Sequence, residues 1–150
     1  MNNIEIERKF SVIGEFFHLA TKKISIRQGY LSSSPDKTVR IRVSDGKGFI
    51  TIKGPSDING FSRAEYEYVI PLKDAEEMLG LCSTVISKER YYVPHGRHEF
   101  QVDVFHGRNE GLVIAELELQ SEDEPVERPD WLGEEVTGIK KYYNSWLASH

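Results

Sequence analysis

Little in this sequence invites covalent or redox chemistry. The 150 residues hold one cysteine, Cys82, so no internal disulfide forms, and no second cysteine or close histidine stands at metal-ligand spacing around it. Cys82 is read as a buried apolar thiol. The five histidines are scattered, with His95, His98 and His106 beside turns, and no Ser-His-Asp or Cys-His constellation emerges. Long apolar runs are missing too. None approaches the roughly 20 residues a membrane span needs, and the first residues carry acids where a signal peptide carries basic and apolar regions. A cytoplasmic protein with no membrane partner is expected. Basic charge is also in short supply: 19 Lys+Arg against 24 Asp+Glu leave a net charge of -5, which excludes a general nucleic-acid surface. Repeats and low-complexity tracts are absent, and one domain over 1–150 is expected.

What the chain does have is two-residue alternation. Strands are predicted at 3–10, 23–31, 38–45, 48–54, 62–71, 86–94, 98–106 and 112–120, separated by turn stretches such as "SSSPDK", "SDGKG" and "PHGR". The fold class is mainly β (α+β). "PLKDAEEMLGL" reads as a short helix capped by Asp74, and Thr137 as the cap of a terminal helix over "GIKKYYNSWLASH", with Ile139, Tyr142, Tyr143 and Trp146 on its apolar side. "SEDEPVERPD" reads as an acidic connector.

The alternation carries charge of one sign at a time. Glu5, Glu7 and Lys9 share a strand face, as do Arg40 with Arg42, Lys88 with Arg90, Glu65 with Glu67 and Arg63, and Glu116 with Glu118, mostly opposite apolar residues. Residues two apart on a strand lie roughly 6.5 to 7 Å from each other, so like charges are held close at a cost. An ordinary solvated sheet face explains any one such strand, but not the whole series. Like-signed pairs call for missing partners: anions for the bases, cations for the acids. If eight antiparallel strands close into a barrel with this face inward, Lys9, Arg40, Arg42, Lys53, Lys88 and Arg90 converge with Glu5, Glu7, Glu65, Glu67, Asp103, Glu116 and Glu118. Such an interior is expected to be a wet, charged tunnel, its apolar faces turned outward under helices or a partner subunit. Guanidinium pairs suit phosphate oxygens, and clustered carboxylates suit hard divalent cations.

These blocks resemble a known family. "EIERK" resembles the ExExK signature of the CYTH superfamily, the triphosphate tunnel metalloenzymes, and "RQGYL", "VRIR", "TIKG", "SRAEYEY", "SKERY", "VDVF", "AELEL" and "WLGEEVTGIKKYYN" follow in the family's order. The resemblance implies a closed eight-stranded β-barrel binding a linear triphosphate with Mg2+ or Mn2+, and the short length is similar to the small bacterial inorganic triphosphatases. It implies Glu5, Glu7, Glu116 and Glu118 as metal ligands, with Glu5, Glu116 or Glu118 able to activate water. Lys9, Arg40, Arg42, Lys53, Lys88 and Arg90 would hold phosphate, Lys9 at the transferred group. Arg63, Glu65, Glu67, Asp103 and Tyr30 would line the tunnel with roles left open, and Lys140 and Lys141 would lie near one mouth. Arg8, of outward parity, is read as structural. The same family includes class IV type adenylate cyclases and thiamine triphosphatases, and a non-catalytic polyphosphate-binding module is the alternative from another class. Outward apolar strands are compatible with a homodimer.

Overall fold

The computed structural model describes residues 4–34, 36–57, 61–142 and Leu147. Its strands are β1 (Ile4–Val12), β2 (Lys22–Ser33), β3 (Thr38–Ser44), β4 (Lys47–Lys53), β5 (Ser62–Ile70), β6 (Val85–His95), β7 (His98–Phe105), β8 (Val113–Glu118) and β9 (Leu132–Glu135), with one helix, α1 (Leu72–Leu79), after β5. The eight expected strands are all present, their ends shifted by a residue or two. All pairings are antiparallel, in the order β5-β4-β3-β2-β6-β7-β8-β1, and β5 pairs back onto β1 to close a barrel.

Closure depends on β1, which pairs with β8 along one edge and divides its other edge between two strands. Ile4, Glu5 and Ile6 face Ala64, Arg63 and Ser62 of β5, while Phe10 and Val12 face β9. The sequence reading missed β9, which lies beyond the acidic connector and is only four residues long. Its outward Glu135 holds Arg8, whose Nε donates to Oε2 at 2.9 Å, so Arg8 is structural as expected. The β3–β4 hairpin turns through Asp45 and Gly46 with φ of 52° and 72°, the paired left-handed conformation that favours Asp-Gly.

The barrel carries its apolar residues mainly outside. Phe10, Phe100, Val102, Ala115 and Leu117 are buried beneath Phe16, Leu119, Trp131 and Leu132, supplied by the segments around β9, after β1 and after β8. On the opposite flank α1 places Ala75 and Leu79 over Ile41, with Val43, Ile50 and Ile70 packed alongside. The helix begins after Pro71, and no side chain caps it; Asp74 lies inside its first turn, where a carboxylate favours the helix N-terminus without being the cap. Ile4, Ile52, Tyr66 and Tyr68 remain exposed on the outer surface. Thr137 does not act as expected either. It accepts from the Lys9 N–H at 2.9 Å and donates to Glu135 at 2.7 Å, tying the chain beyond β9 to β1. A 3-10 turn, Lys140–Tyr142, follows. The rest of the expected terminal helix, with Tyr143 and Trp146, lies outside the described residues. Among the described residues no helix is long and apolar enough to cross a membrane.

Candidate active site

The inward strand face encloses a cavity of about 350 Å³. Seven bases (Lys9, Arg40, Arg42, Lys53, Arg63, Lys88, Arg90) and six carboxylates (Glu5, Glu7, Glu65, Glu67, Glu116, Glu118) line it, and the other lining side chains are Tyr30, Thr38, Tyr92 and Gln101. Alternation alone does this: a period of two in each strand sends each charged set to the same side once the sheet closes. The interior is not charged throughout, however. Continuing the same parity past the charged residues, Ile86, Phe105 and Ile114 also point inward, and they cluster with Leu147, Tyr30, Leu112 and Tyr142. The expectation of a wet interior therefore fails at this end, where apolar side chains fill the barrel.

Within the cavity most bases are already matched to acids. Lys9 Nζ donates to Glu116 Oε1 at 2.8 Å and lies 3.6 Å from Glu7. Lys53 Nζ donates to Glu5 at 2.8 and 3.1 Å and lies 3.7 Å from Glu65. Asp103, fully buried behind the lining, accepts from Lys88 at 2.6 Å and from Arg90 Nε and Nη2 at 2.8 and 2.9 Å. Arg40 reaches Thr51 Oγ1 at 3.1 Å and Glu67 at 3.4 Å, and the Thr51 hydroxyl donates to Glu67 at 2.7 Å. Arg42 differs: its Nε donates to Gln28 Oε1 at 3.1 Å.

These environments move protonation equilibria in opposite directions. Burial alone would lower Lys9, but Glu116 and Glu7 overcome it and hold the ammonium well above its ordinary value. Burial likewise opposes ionisation of Glu116, and Lys9, Arg90 and Lys88 override it, keeping that carboxyl well below the usual range. Burial wins at Lys88, which falls to about 7: Asp103 attracts its charge, but Arg90 and Arg42 repel it. Burial, with Arg40 and Arg90 as neighbours, lowers Arg42 to about 9. Glu7 is pushed up mainly by burial, and Glu118 reaches about 7 through burial and the surrounding Glu5, Glu7, Glu65 and Glu116. Glu7 and Glu118 are direct cross-strand partners, an arrangement that repels without a cation between them.

Every residue carried from the ExExK blocks thus comes together in one cavity, and Arg63, Glu65, Glu67 and Tyr30 line it as well. Asp103 underlies it. Lys141 is exposed with its ammonium over the Tyr142 ring, away from the lining. Gln28, Thr38 and Tyr92 were missed by the sequence reading, because neutral residues carry no sign to group; shared parity with Tyr30, Arg40 and Arg90 was the available clue. Among the described residues no three carboxylates or imidazoles form a ready-made metal cage. The donor chemistry nonetheless fits a hard cation, since Glu7 and Glu118 face each other across β1 and β8 and Glu118 is pushed up to about 7 by burial and by the carboxylates around it.

Residues 3–144 match the CYTH domain. The chain belongs to the CYTH family. A CYTH relative from Acetivibrio thermocellus, an inorganic triphosphatase, is 47% identical over 148 residues, covering 97% of this chain and 94% of that protein. The inorganic triphosphatase of Nitrosomonas europaea is 36% identical over 150 residues, covering 96% of each. A crystal structure of an inorganic triphosphatase superposes with a TM-score of 0.68 at 33% identity, covering 97% of this chain and 95% of that one. CYTH triphosphatases are typically metal-dependent.

Proposed function

We infer that this CYTH protein is an inorganic triphosphatase, splitting tripolyphosphate into pyrophosphate and phosphate. The make-up of the cavity carries the reading. Bases face carboxylates suited to a cation, and among the described residues the lining offers only Tyr30 and Tyr92 as non-charged rings, with no aliphatic side chain. A module that only bound polyphosphate would gain nothing from Glu7 and Glu118 set directly opposite each other across β1 and β8. The near-full-length identity to two inorganic triphosphatases supports the same substrate class.

In this reading Arg40, Arg42, Lys53, Lys88 and Arg90 grip the phosphate oxygens and Lys9 contacts the phosphoryl group that is transferred. Their fixed positive charge stabilises the charge that accumulates as the P–O bond to pyrophosphate breaks and the bond to water oxygen forms. A carboxylate among Glu5, Glu116 and Glu118 orients the attacking water and receives its proton. Glu5, Glu7, Glu116 and Glu118 would hold Mg2+ or Mn2+, which when bound neutralises phosphate oxygens and acidifies water. Arg63, beside Glu5 in register, and Glu65 and Glu67 complete the lining, the last by holding Arg40 through Thr51. The test is phosphate release from tripolyphosphate, ATP and thiamine triphosphate, each with Mg2+, Mn2+ or EDTA. Metal-dependent release, fastest from tripolyphosphate, is expected; cAMP formation or tight binding without release would overturn it.

A further inference from the structure

We propose that Gln28 is a positioning residue that aims the Arg42 guanidinium into the tunnel while leaving its charge uncompensated for the substrate. This rests on the triphosphatase reading. Gln28 is fully buried on β2, directly opposite Arg42 on β3 and, on its other side, opposite Ile86. It therefore stands where the charged part of the interior meets the apolar end, a place where an amide is retained only if it is hydrogen-bonded. Its Oε1 accepts from Arg42 Nε at 3.1 Å.

The contrast with the other bases gives this bond its meaning. Lys9 is paired with Glu116, Lys53 with Glu5, Lys88 and Arg90 with Asp103, and Arg40 with Glu67. Among the described residues Arg42 and Arg63 form no ion pair; Arg63 leaves its buried Nε without a hydrogen-bond partner, whereas Gln28 holds the Nε of Arg42. Arg40 and Arg90 add positive charge beside Arg42 and outweigh the pull of Asp103 and Glu67. A neutral acceptor at Nε fixes the plane of the guanidinium and leaves its two terminal nitrogens as a fork, the geometry that suits phosphate oxygens. A carboxylate in the same place would hold Arg42 as Asp103 holds Arg90, and an incoming phosphate would first have to displace it. An apolar residue would leave Nε without an acceptor and the plane free to turn. Position 28 thus sets how much of Arg42 is available to the substrate.

The experiment compares Gln28→Glu, Gln28→Leu, Arg42→Ala and both double variants in the full-length protein with Mg2+. It measures KM and kcat for tripolyphosphate and thermal stability. Calorimetric binding of tripolyphosphate in EDTA reads the same coupling without turnover. Gln28→Glu, close in size to the native residue, is expected to weaken binding and raise KM roughly tenfold or more, with a smaller change in kcat. Gln28→Leu is expected to raise KM several-fold. In the Arg42→Ala background neither substitution at position 28 should change KM or binding further, which a merely structural residue would not show. A Gln28→Glu variant with wild-type KM and binding, or a Gln28→Leu effect equally large without Arg42, overturns the assignment. A wild type that binds tripolyphosphate but releases no phosphate overturns the triphosphatase reading instead, and the calorimetric comparison still decides the role of Gln28.

Discussion

Replacing Asp103 by asparagine tests the electrostatic design of the barrel most directly. The change preserves shape and removes one negative charge that serves two cations through three short hydrogen bonds, at 2.6, 2.8 and 2.9 Å, in a fully buried position. Breaking a buried ion pair by deleting one partner costs about 3–5 kcal/mol, because the remaining charge stays desolvated. For a chain of this length that corresponds to a fall in Tm of roughly 10 °C in anion-free buffer. Because Asp103 is held below its ordinary value in the folded chain, its contribution is present above about pH 4 and is lost only as the pH falls through its lower folded value. The gap between variant and wild type should widen as the pH falls from 8 through about 7, where Lys88 gains its proton beside Asp103 in the wild type only, and close below about pH 4 as Asp103 itself is protonated. Tripolyphosphate should narrow the gap at neutral pH, since an anion in the tunnel replaces the missing charge beside Lys88 and Arg90. Thermal and urea unfolding with and without tripolyphosphate measure both effects. A variant within about 1 kcal/mol of wild type in anion-free buffer would refute the idea that Asp103 is the counter-charge on which these two bases depend.

Glu118→Gln should make the metal-free protein more stable at pH 8. The folded carboxyl titrates near 7 against an ordinary 4.5, so its penalty grows as the pH rises through that window. Its exposure reduces the effect to about 1–2 kcal/mol, and urea unfolding in EDTA should show no difference at pH 4. Glu5→Gln should lower metal-dependent phosphate release at least about 100-fold while circular dichroism stays native; full activity would remove Glu5 from the machinery. Gly48→Leu should lift α1 from the barrel, because even a Cβ there would lie 2.5 Å from that of Ala75. A loss of about 1–3 kcal/mol in unfolding experiments is expected, with turnover per folded molecule retained.

The barrel was legible because period-two alternation and sign-grouped charge are properties of single strands that need no tertiary information. Glu5, Glu7 and Lys9 on one face, or Arg40 and Arg42 on another, announce a shared interior before any pairing is known. Four features were not legible, each for a reason. The four residues of β9 are too few to show a period, and they are strand only because the free edge of β1 beyond Glu7 accepts them. The apolar end of the interior was hidden because Ile86, Phe105 and Ile114 look like ordinary core residues; only strand closure turns them inward with Leu147. Asp74 looked like a cap by residue type, yet the helix starts two residues earlier, behind Pro71. A neutral partner such as Gln28 gains its importance from the side chain across the strand, which a one-dimensional reading does not supply.

The pairing of Lys9, Lys53, Lys88 and Arg90 with acids of the same tunnel makes those carboxylates covalently tethered counterions. A phosphate chain entering a basic groove on a protein surface sets free mobile ions from solution, and its affinity falls steeply as salt is added. Under the proposed metal assignment the ions displaced from the bases cannot leave and would turn toward the cation that accompanies the substrate. Uptake becomes a closed exchange of partners, its salt response muted, with anion and metal each making room for the other.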